Sequence, residues 1–262
     1  MPEIALTLDG LSVGYGGDPV LHDLSLRIPQ GRVTAFCGPN GCGKSTALKA
    51  MRGMLGSASG SVMLDKKPLS DWSTKELARE IAMLGQTPNA PEEMFVRELV
   101  GLGRYAYRSR LGGLSQADRE AIEAAIQAAD LAGLAELPLG VLSGGQAQRA
   151  WLAMVLAQEA PIIFLDEPTN HLDISHALAT LDLVRKLSHE DGKTVLVVLH
   201  DLNLAASFAD EIALFKAGRL RAMGRVEDVF TEKQLSEVFE IGCKIIKDGK
   251  EGHPVFVPYL ER

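Results

Sequence analysis

The stretch Gly38-Pro39-Asn40-Gly41-Cys42-Gly43-Lys44-Ser45 constrains this chain more than any other. It follows directly on Val33 to Cys37, a short apolar run without alternation that suits a strand buried on both faces. From Lys44 to Met54 the apolar spacing turns helical. A glycine-rich turn between a buried strand and a helix start is the context in which such a string cradles phosphate. The glycines let backbone N–H groups converge on phosphate oxygens, and the helix N-terminus adds partial positive charge. Lys44 is then placed to neutralise β- and γ-phosphates and Ser45 to ligate Mg²⁺, with Thr46 beside them at the same helix start. An ordinary Gly-rich turn is the alternative, and the strand before it argues against that.

Ile162-Ile163-Phe164-Leu165-Asp166-Glu167 is the expected second half, a buried strand whose end delivers two carboxylates to the C-terminal edge of a parallel sheet. Asp166 is expected to hold the Mg²⁺ shell. Glu167 is expected to polarise an attacking water, because a hydroxide-like nucleophile needs a nearby acceptor. An Asp-Glu pair after a strand is ordinarily a solvated loop start, and the phosphate-binding loop reverses that reading.

Leu142-Ser143-Gly144-Gly145-Gln146 opens the apolar stretch Gln146 to Leu156. A Ser and two glycines at a helix start make a second anion-binding terminus on a different part of the chain. Two phosphate sites on one chain suggest a shared nucleotide, and a capped helix start without phosphate is the plainer alternative. With this string the chain resembles the ABC ATPases, whose signature motif it matches. The resemblance implies an α/β fold: a P-loop NTPase (RecA-like) core with an N-terminal antiparallel β subdomain and an inserted α-helical subdomain. It also implies ATP hydrolysis by a head-to-tail homodimer. Each ATP would lie between the P-loop of one subunit, Gly38 to Thr46, and Ser143, Gly144, Gly145 and Gln146 of the other.

The remaining motifs stand in family order. Tyr15 occupies the position whose ring stacks on adenine in similar proteins, a task that suits a planar aromatic face. Gln86, after Ile81 to Leu84, matches the glutamine that senses Mg²⁺ and the nucleophilic water and leads into the helical insert contacting a transmembrane partner. His200 directly follows the buried run Val195 to Leu199, and its imidazole is expected near Asp166 and Glu167, within reach of the γ-phosphate. Asp173, in Asn170-His171-Leu172-Asp173, matches the loop that crosses the dimer interface. Alone, Tyr15 would be a strand tyrosine, Gln86 a solvated loop residue and His200 a satisfied core histidine. His171 and His176 lack the further ligands a metal site needs. The catalytic candidates are thus Glu167, His200 and Gln86, and the Mg²⁺ candidates Ser45, Gln86 and Asp166.

Around these motifs, Ile4, Leu6 and Leu8, then Leu24, Leu26 and Ile28, alternate with polar residues as antiparallel strands do. Residues 88–139 show helical periodicity at Ile122, Ile126 and Ala129, ending near Gly133, and read as a helical insert. Ser73 with Glu76, Ser115 with Asp118 and Thr231 with Gln234 have the spacing of capping pairs. The expected organisation is one ATPase domain over 1–262, with core 1–87 and 140–224, helical subdomain 88–139 and tail 225–262. The tail shows turn signals at Asp248-Gly249 and Glu251-Gly252 and carries no assigned function.

Composition narrows the classes. A length of 262 residues at 46% hydrophobic content suffices for a sizeable core. Net charge is −7 with Lys and Arg scattered, which leaves no nucleic-acid groove. Three irregularly placed cysteines make no disulfide framework and fit a reducing cytosol. Met1 to Asp9 carries Glu3 and Asp9 and no basic stretch leading into an apolar one, so no secretory signal is expected. The most apolar region, Trp151 to Leu165, is interrupted by Gln158, Glu159 and Pro161, short of the roughly 20 residues of a membrane span. A membrane role must go through a partner.

Asp166 to Asp173 and Leu199-His200-Asp201-Leu202-Asn203, with Val96 to Val100 and Gly103-Arg104, resemble the importer subunits for iron–siderophore, haem and cobalamin uptake, ferric-siderophore importers above all. The likeness runs from Ile4 to about Phe239. It implies a peripheral subunit at the cytoplasmic face of the inner membrane, bound to permease subunits and through them to a substrate-binding protein. The same chemistry would serve an exporter ATPase, or a soluble ABC protein acting on ribosomes or DNA. A single cassette, no long coiled-coil insertion and no basic stripe argue against the soluble alternative. Two positions depart from the pattern: Ala147, where many relatives carry a basic residue, and Cys42, where Ala or Ser is frequent. Neither removes a phosphate ligand. Beside backbone N–H groups and Lys44, Cys42 is expected to have a depressed pKa and an available thiolate, so that alkylation inactivates and ATP protects.

Overall fold

Alternation in the first thirty residues produces paired strands: β1 (Ile4–Val13) and β2 (Leu21–Pro29) are antiparallel, with Leu8 opposite Leu26. The computed structural model describes residues 3–86, 88–108, 113–170, 172–247 and 252–260. The chain divides into two units, Met1–Trp72 with Asp182–Arg262, and Ser73–Leu181. In the first unit β3 (Val33–Cys37) is buried along its whole length and runs through the glycine-rich loop into α1 (Lys44–Met51). β4 (Ser57–Leu64) lies on the other side of β1, placing Val62 opposite Leu8 and Leu64 opposite Leu6, and β5 (Lys67–Pro68) pairs with its end. Leu6, Leu8, Leu11, Val62 and Leu64 are all buried, the inward face that the alternation calls for.

The second unit begins with α2 (Thr74–Glu80), closed by a capping box in which Ser73 Oγ accepts from the Glu76 N–H and a Glu76 oxygen accepts from the Ser73 N–H. β6 (Ile81–Leu84) follows, then α3 (Val96–Leu102), α4 (Gln116–Ala128) and α5 (Gly144–Ala157). These three helices share a core of Val96, Leu99, Val100, Ile122, Ile126, Ala150 and Ala153, so the period of Ile122 and Ile126 is a core face. α4 stops at Ala128, short of Gly133, because Asp130 takes a left-handed conformation at φ +53°. β7 (Ile162–Asp166) runs parallel to β6 with Leu165 opposite Leu84.

Arg104 is a buried cation of this unit, 4% exposed. Its guanidinium donates to Asp118 at 2.9 Å, to Glu159 at 2.6 Å and to the Ala157 carbonyl at 2.8 Å, and lies 3.9 Å from the Tyr107 ring centroid. Asp118 also completes the Ser115 capping box of α4. Hydrogen bonds from the Ser115 hydroxyl, then from Arg104, hold the Asp118 carboxyl down at about 2. A depressed folded-state pKa means that this contribution is intact above the ordinary carboxylate range and is lost as pH falls towards about 2. Arg104→Met leaves Asp118 buried without its partner and is expected to cost about 3–5 kcal/mol in urea unfolding. A cost under about 1 kcal/mol would mean that the network is not what holds α4 to α5.

α6 (Ile174–His189) carries the chain back to the first unit. There β8 (Thr194–Val198) is followed by α7 (Leu202–Phe208) and β9 (Glu211–Lys216). β3 lies between β8 and β9, parallel to both, with Ala35 opposite Val197 and Ile212, which explains its uninterrupted apolar sequence. β10 (Arg219–Arg225) closes that edge antiparallel to β9. The tail is more regular than the sequence suggests: α8 (Val226–Val229), α9 (Glu232–Phe239), and a hairpin of β11 (Gly242–Lys247) and β12 (Pro254–Tyr259). The turn residues Asp248, Gly249 and Glu251 lie outside the described residues. Among the described residues no helix is long and apolar enough to cross a membrane.

Candidate nucleotide site

In the first unit two glycines of the loop, Gly38 and Gly43, are fixed by close approach. Gly38 has φ +151°, and a Cβ there would lie 2.2 Å from the Phe215 carbonyl oxygen. Gly43, the N-cap of α1, has φ +103°, and its Cβ would lie 2.6 Å from a Leu21 methyl. Gly43 offers no side-chain oxygen, so the N-cap of α1 makes no side-chain cap hydrogen bond. A helix start whose N-cap residue supplies no side-chain oxygen is the arrangement that phosphate binding uses. Lys44 is 5% exposed, and its Nζ donates to the Gly38 carbonyl at 2.8 Å and to the Pro39 carbonyl at 3.0 Å, with Cys42 Sγ at 3.7 Å.

Cys42 corrects the expectation of a reactive thiolate. Burial pushes its thiol up, and this outweighs the lowering by Lys44 and by the backbone hydrogen bonds around it. Cys37, wholly buried beneath, is pushed up to about 12 by burial. Cys42 is 4% exposed, so a thiol-alkylating reagent at neutral pH is expected to label it rapidly only in denaturant. Mass spectrometry of native protein showing prompt stoichiometric labelling of Cys42 would refute this.

Tyr15 stands in the loop after β1 rather than in a strand, 59% exposed, its hydroxyl 3.4 Å from Thr46 Oγ1. His200 is exposed just past β8. Asp201, the next residue, caps α7 by accepting the Asn203 N–H at 2.8 Å and the Leu204 N–H at 3.0 Å.

In the second unit β7 ends on Asp166, 2% exposed, and the chain then turns sharply, because Glu167 adopts φ +57°. A non-glycine residue held there costs about 1–3 kcal/mol and persists only where its surroundings over-determine it. The surroundings are two carboxamides: Gln86 Nε2 donates to Glu167 Oε2 at 2.7 Å, and Asn170 Nδ2 donates to the same oxygen. Gln86 and Glu167, 81 residues apart in sequence, are thus brought together. Asn170 was legible only as part of a motif string; its task, three residues after Glu167 in a tight turn, became visible with the turn itself.

Ser143 is the N-cap of α5, which begins at Gly144, two residues earlier than the sequence suggests. Ser143 Oγ accepts from the Gln146 N–H at 3.3 Å and Gln146 Oε1 from the Ser143 N–H at 2.9 Å, so this terminus, unlike α1, carries its own cap. A Cβ on Gly145 would lie 3.2 Å from the His176 ring. Asp173 is held at about 2 by the His176 N–H, the Ser175 hydroxyl and the His176 ring, in that order. An ionised carboxylate only accepts, so His176 Nδ1, 2.8 Å from Asp173 Oδ1, carries the proton. His176 is therefore held by Asp173 on the side of Gly145 where any larger side chain would meet its ring, a role that no local pattern announced. His171 lies outside the described residues.

The family model for ABC transporters matches residues 21–170. The chain is 43% identical to the probable siderophore transport system ATP-binding protein of Bacillus subtilis, covering 97% of this chain and 93% of that one. It is 41% identical to the ferric enterobactin transport ATP-binding protein of Escherichia coli, over 95% and 92%. It is 39% identical to a hemin import ATP-binding protein of Streptomyces coelicolor, over 98% and 91%. Among solved structures it superposes on a metal-chelate type ABC transporter with TM-score 0.86 at 24% identity over 99% of both chains, a likeness of fold. A dimeric bacterial ABC transporter cassette matches at TM-score 0.75 and 31% identity over 84% and 98%, and the same cassette is also solved with ADP and Pi.

Proposed function

The chain belongs to the ABC transporter family of ATP-binding proteins and is an ATPase, and on that premise we propose that it drives a membrane importer of ferric siderophore, or of haem or cobalamin. The observation that carries the hydrolytic part is Glu167, a carboxylate in a strained backbone conformation aimed by Gln86 and Asn170. The import part rests on relatives about 40% identical over nearly the full chain whose names specify siderophore and hemin import.

We assign Tyr15 to the adenine, Gly38 to Thr46 to the phosphates and His200 to the γ-phosphate. Asp166, Ser45 and Gln86 are hard oxygen donors of the kind that hold Mg²⁺. When bound, Mg²⁺ would supply positive charge against the phosphate charge that develops during hydrolysis. Glu167 takes the proton of the attacking water. Ser143, Gly144, Gly145, Gln146 and Asp173 act on the nucleotide held by the second subunit of a homodimer. Closure on two ATP molecules pulls the helical subdomain, residues 88–139, and the permease attached to it; hydrolysis reopens the dimer. That subdomain holds a cleft of about 820 Å³ in which apolar residues such as Met94, Leu102 and Leu114 lie among charges of both signs, Arg97 and Arg119 with Glu98 and Glu120 among them, which suits an amphipathic cytoplasmic segment of a membrane subunit. The protein would thus sit peripherally on the cytoplasmic face.

The test is reconstitution with the co-expressed permease in vesicles, with labelled ferric siderophore and its binding protein on the side opposite the ATPase. ATP-dependent movement towards the ATPase side is expected. Movement the other way, or ATPase activity indifferent to the permease, would overturn the importer reading.

A further inference from the structure

The tail hairpin has no role in the mechanism above, yet both of its edges are held by side chains. Ile245 and Phe256 face each other across the β11–β12 ladder. The outward backbone of Phe256 is taken by one residue of α7: its N–H donates to Asn203 Oδ1 at 2.7 Å, and its carbonyl accepts from Asn203 Nδ2 at 3.3 Å. A carboxamide bonded at both ends to one strand residue imitates a neighbouring strand and covers an exposed edge. On the opposite edge, the Ile245 N–H donates to the Glu232 carboxylate at 3.0 Å, on the first turn of α9.

Asn203 is three residues from His200. Its own N–H is one of the two that Asp201 caps, and its carbonyl accepts the Ser207 hydroxyl at 2.9 Å. The start of α7 is therefore fixed from inside by Asp201 and from outside by the hairpin through Asn203. His200 hangs from the link between that start and β8.

We propose that Asn203 is a positioning residue for ATP hydrolysis: its two-ended grip on Phe256 lets the C-terminal hairpin set the orientation of the segment bearing His200. This rests on the assignment of His200 to the γ-phosphate. Asn203 touches no nucleotide in this scheme; it acts through the backbone of residues 200–203. The hairpin becomes a brace, and anything that lifts it slackens His200 without disturbing the phosphate loop.

The experiment uses the full chain and compares Asn203→Leu, Glu232→Ala and His200→Ala with the parent, below the unfolding temperature of each variant. His200→Ala is expected to lose at least 100-fold in kcat. Asn203→Leu is expected to lose about tenfold in kcat with KM for ATP within twofold. Glu232→Ala loosens the far edge without touching α7 and is expected to lose about threefold in kcat, again at constant KM. A purely stabilising role would lower Tm and leave kcat unchanged. Parent-level kcat in both Asn203→Leu and Glu232→Ala, with His200→Ala inactive, overturns the brace and spares the His200 assignment. Parent-level kcat in His200→Ala overturns that assignment and the brace with it. Should Asn203→Leu fail to fold, Glu232→Ala alone decides.

Discussion

Glu167→Gln is expected to lower ATP turnover by about 10²–10⁴-fold while ATP stays bound, the range associated with losing a positioned general base. The substitution keeps the shape of the side chain and one carbonyl oxygen, so Gln86 and Asn170 retain an acceptor and the φ +57° turn keeps its support. What disappears is the capacity to take a proton. Binding and chemistry should separate, and because reopening depends on hydrolysis in the proposed cycle, the variant should accumulate as an ATP-bound dimer. Light scattering in MgATP alongside phosphate release reads both quantities. Rapid turnover would remove Glu167 from the mechanism. Blocked turnover in a chain that stays monomeric, even with its permease present, would refute the shared nucleotide.

The parts of the fold and site legible in the sequence were those that short-range rules dictate. A buried strand, a glycine-rich turn and a helix start are local, and the phosphate loop from β3 to α1 could be read from one string. The capping pairs at Ser73 and Ser115 are legible for the same reason, because partners three residues apart need no knowledge of the rest of the chain. β4 was not legible: Ser57-Ala58-Ser59-Gly60-Ser61 has no strand propensity, and only the ladder along β1 makes it a strand. The tail hairpin was missed because its runs are short and its edges depend on Asn203 and Glu232, distant in sequence. The site followed the same division. Residue types and order singled out Lys44, Asp166 and Glu167 as candidates, whereas the grip of Asn170 on Glu167 and of His176 on Asp173 depends on turn geometry. Cys42 failed for a different reason. Two opposing influences act on its thiol, the sequence displays only Lys44, and the burial that wins is a property of the folded chain.

Lys44→Ala is expected to weaken ATP binding itself by about 30–150-fold, the equivalent of about 2–3 kcal/mol for a charge-assisted hydrogen bond to phosphate. An ammonium has three donors. In Lys44 two of them hold the Gly38 and Pro39 carbonyls, and among the described residues the third meets only Cys42 Sγ at 3.7 Å, a weak acceptor. That third donor can turn to a phosphate oxygen while the first two keep the loop in shape, so binding need not dismantle what the lysine already holds. The alanine variant loses both functions, and its two loop carbonyls lose a buried partner. It should therefore also melt a few degrees lower without nucleotide, which a lysine serving phosphate alone would not cause. Fluorescent-nucleotide titration and apo thermal unfolding read the two effects separately. Unchanged affinity would sink the phosphate assignment, while weakened affinity with unchanged melting would confine Lys44 to charge. The pair of variants then divides the cycle: Glu167→Gln stops it after ATP has bound, and Lys44→Ala stops it before.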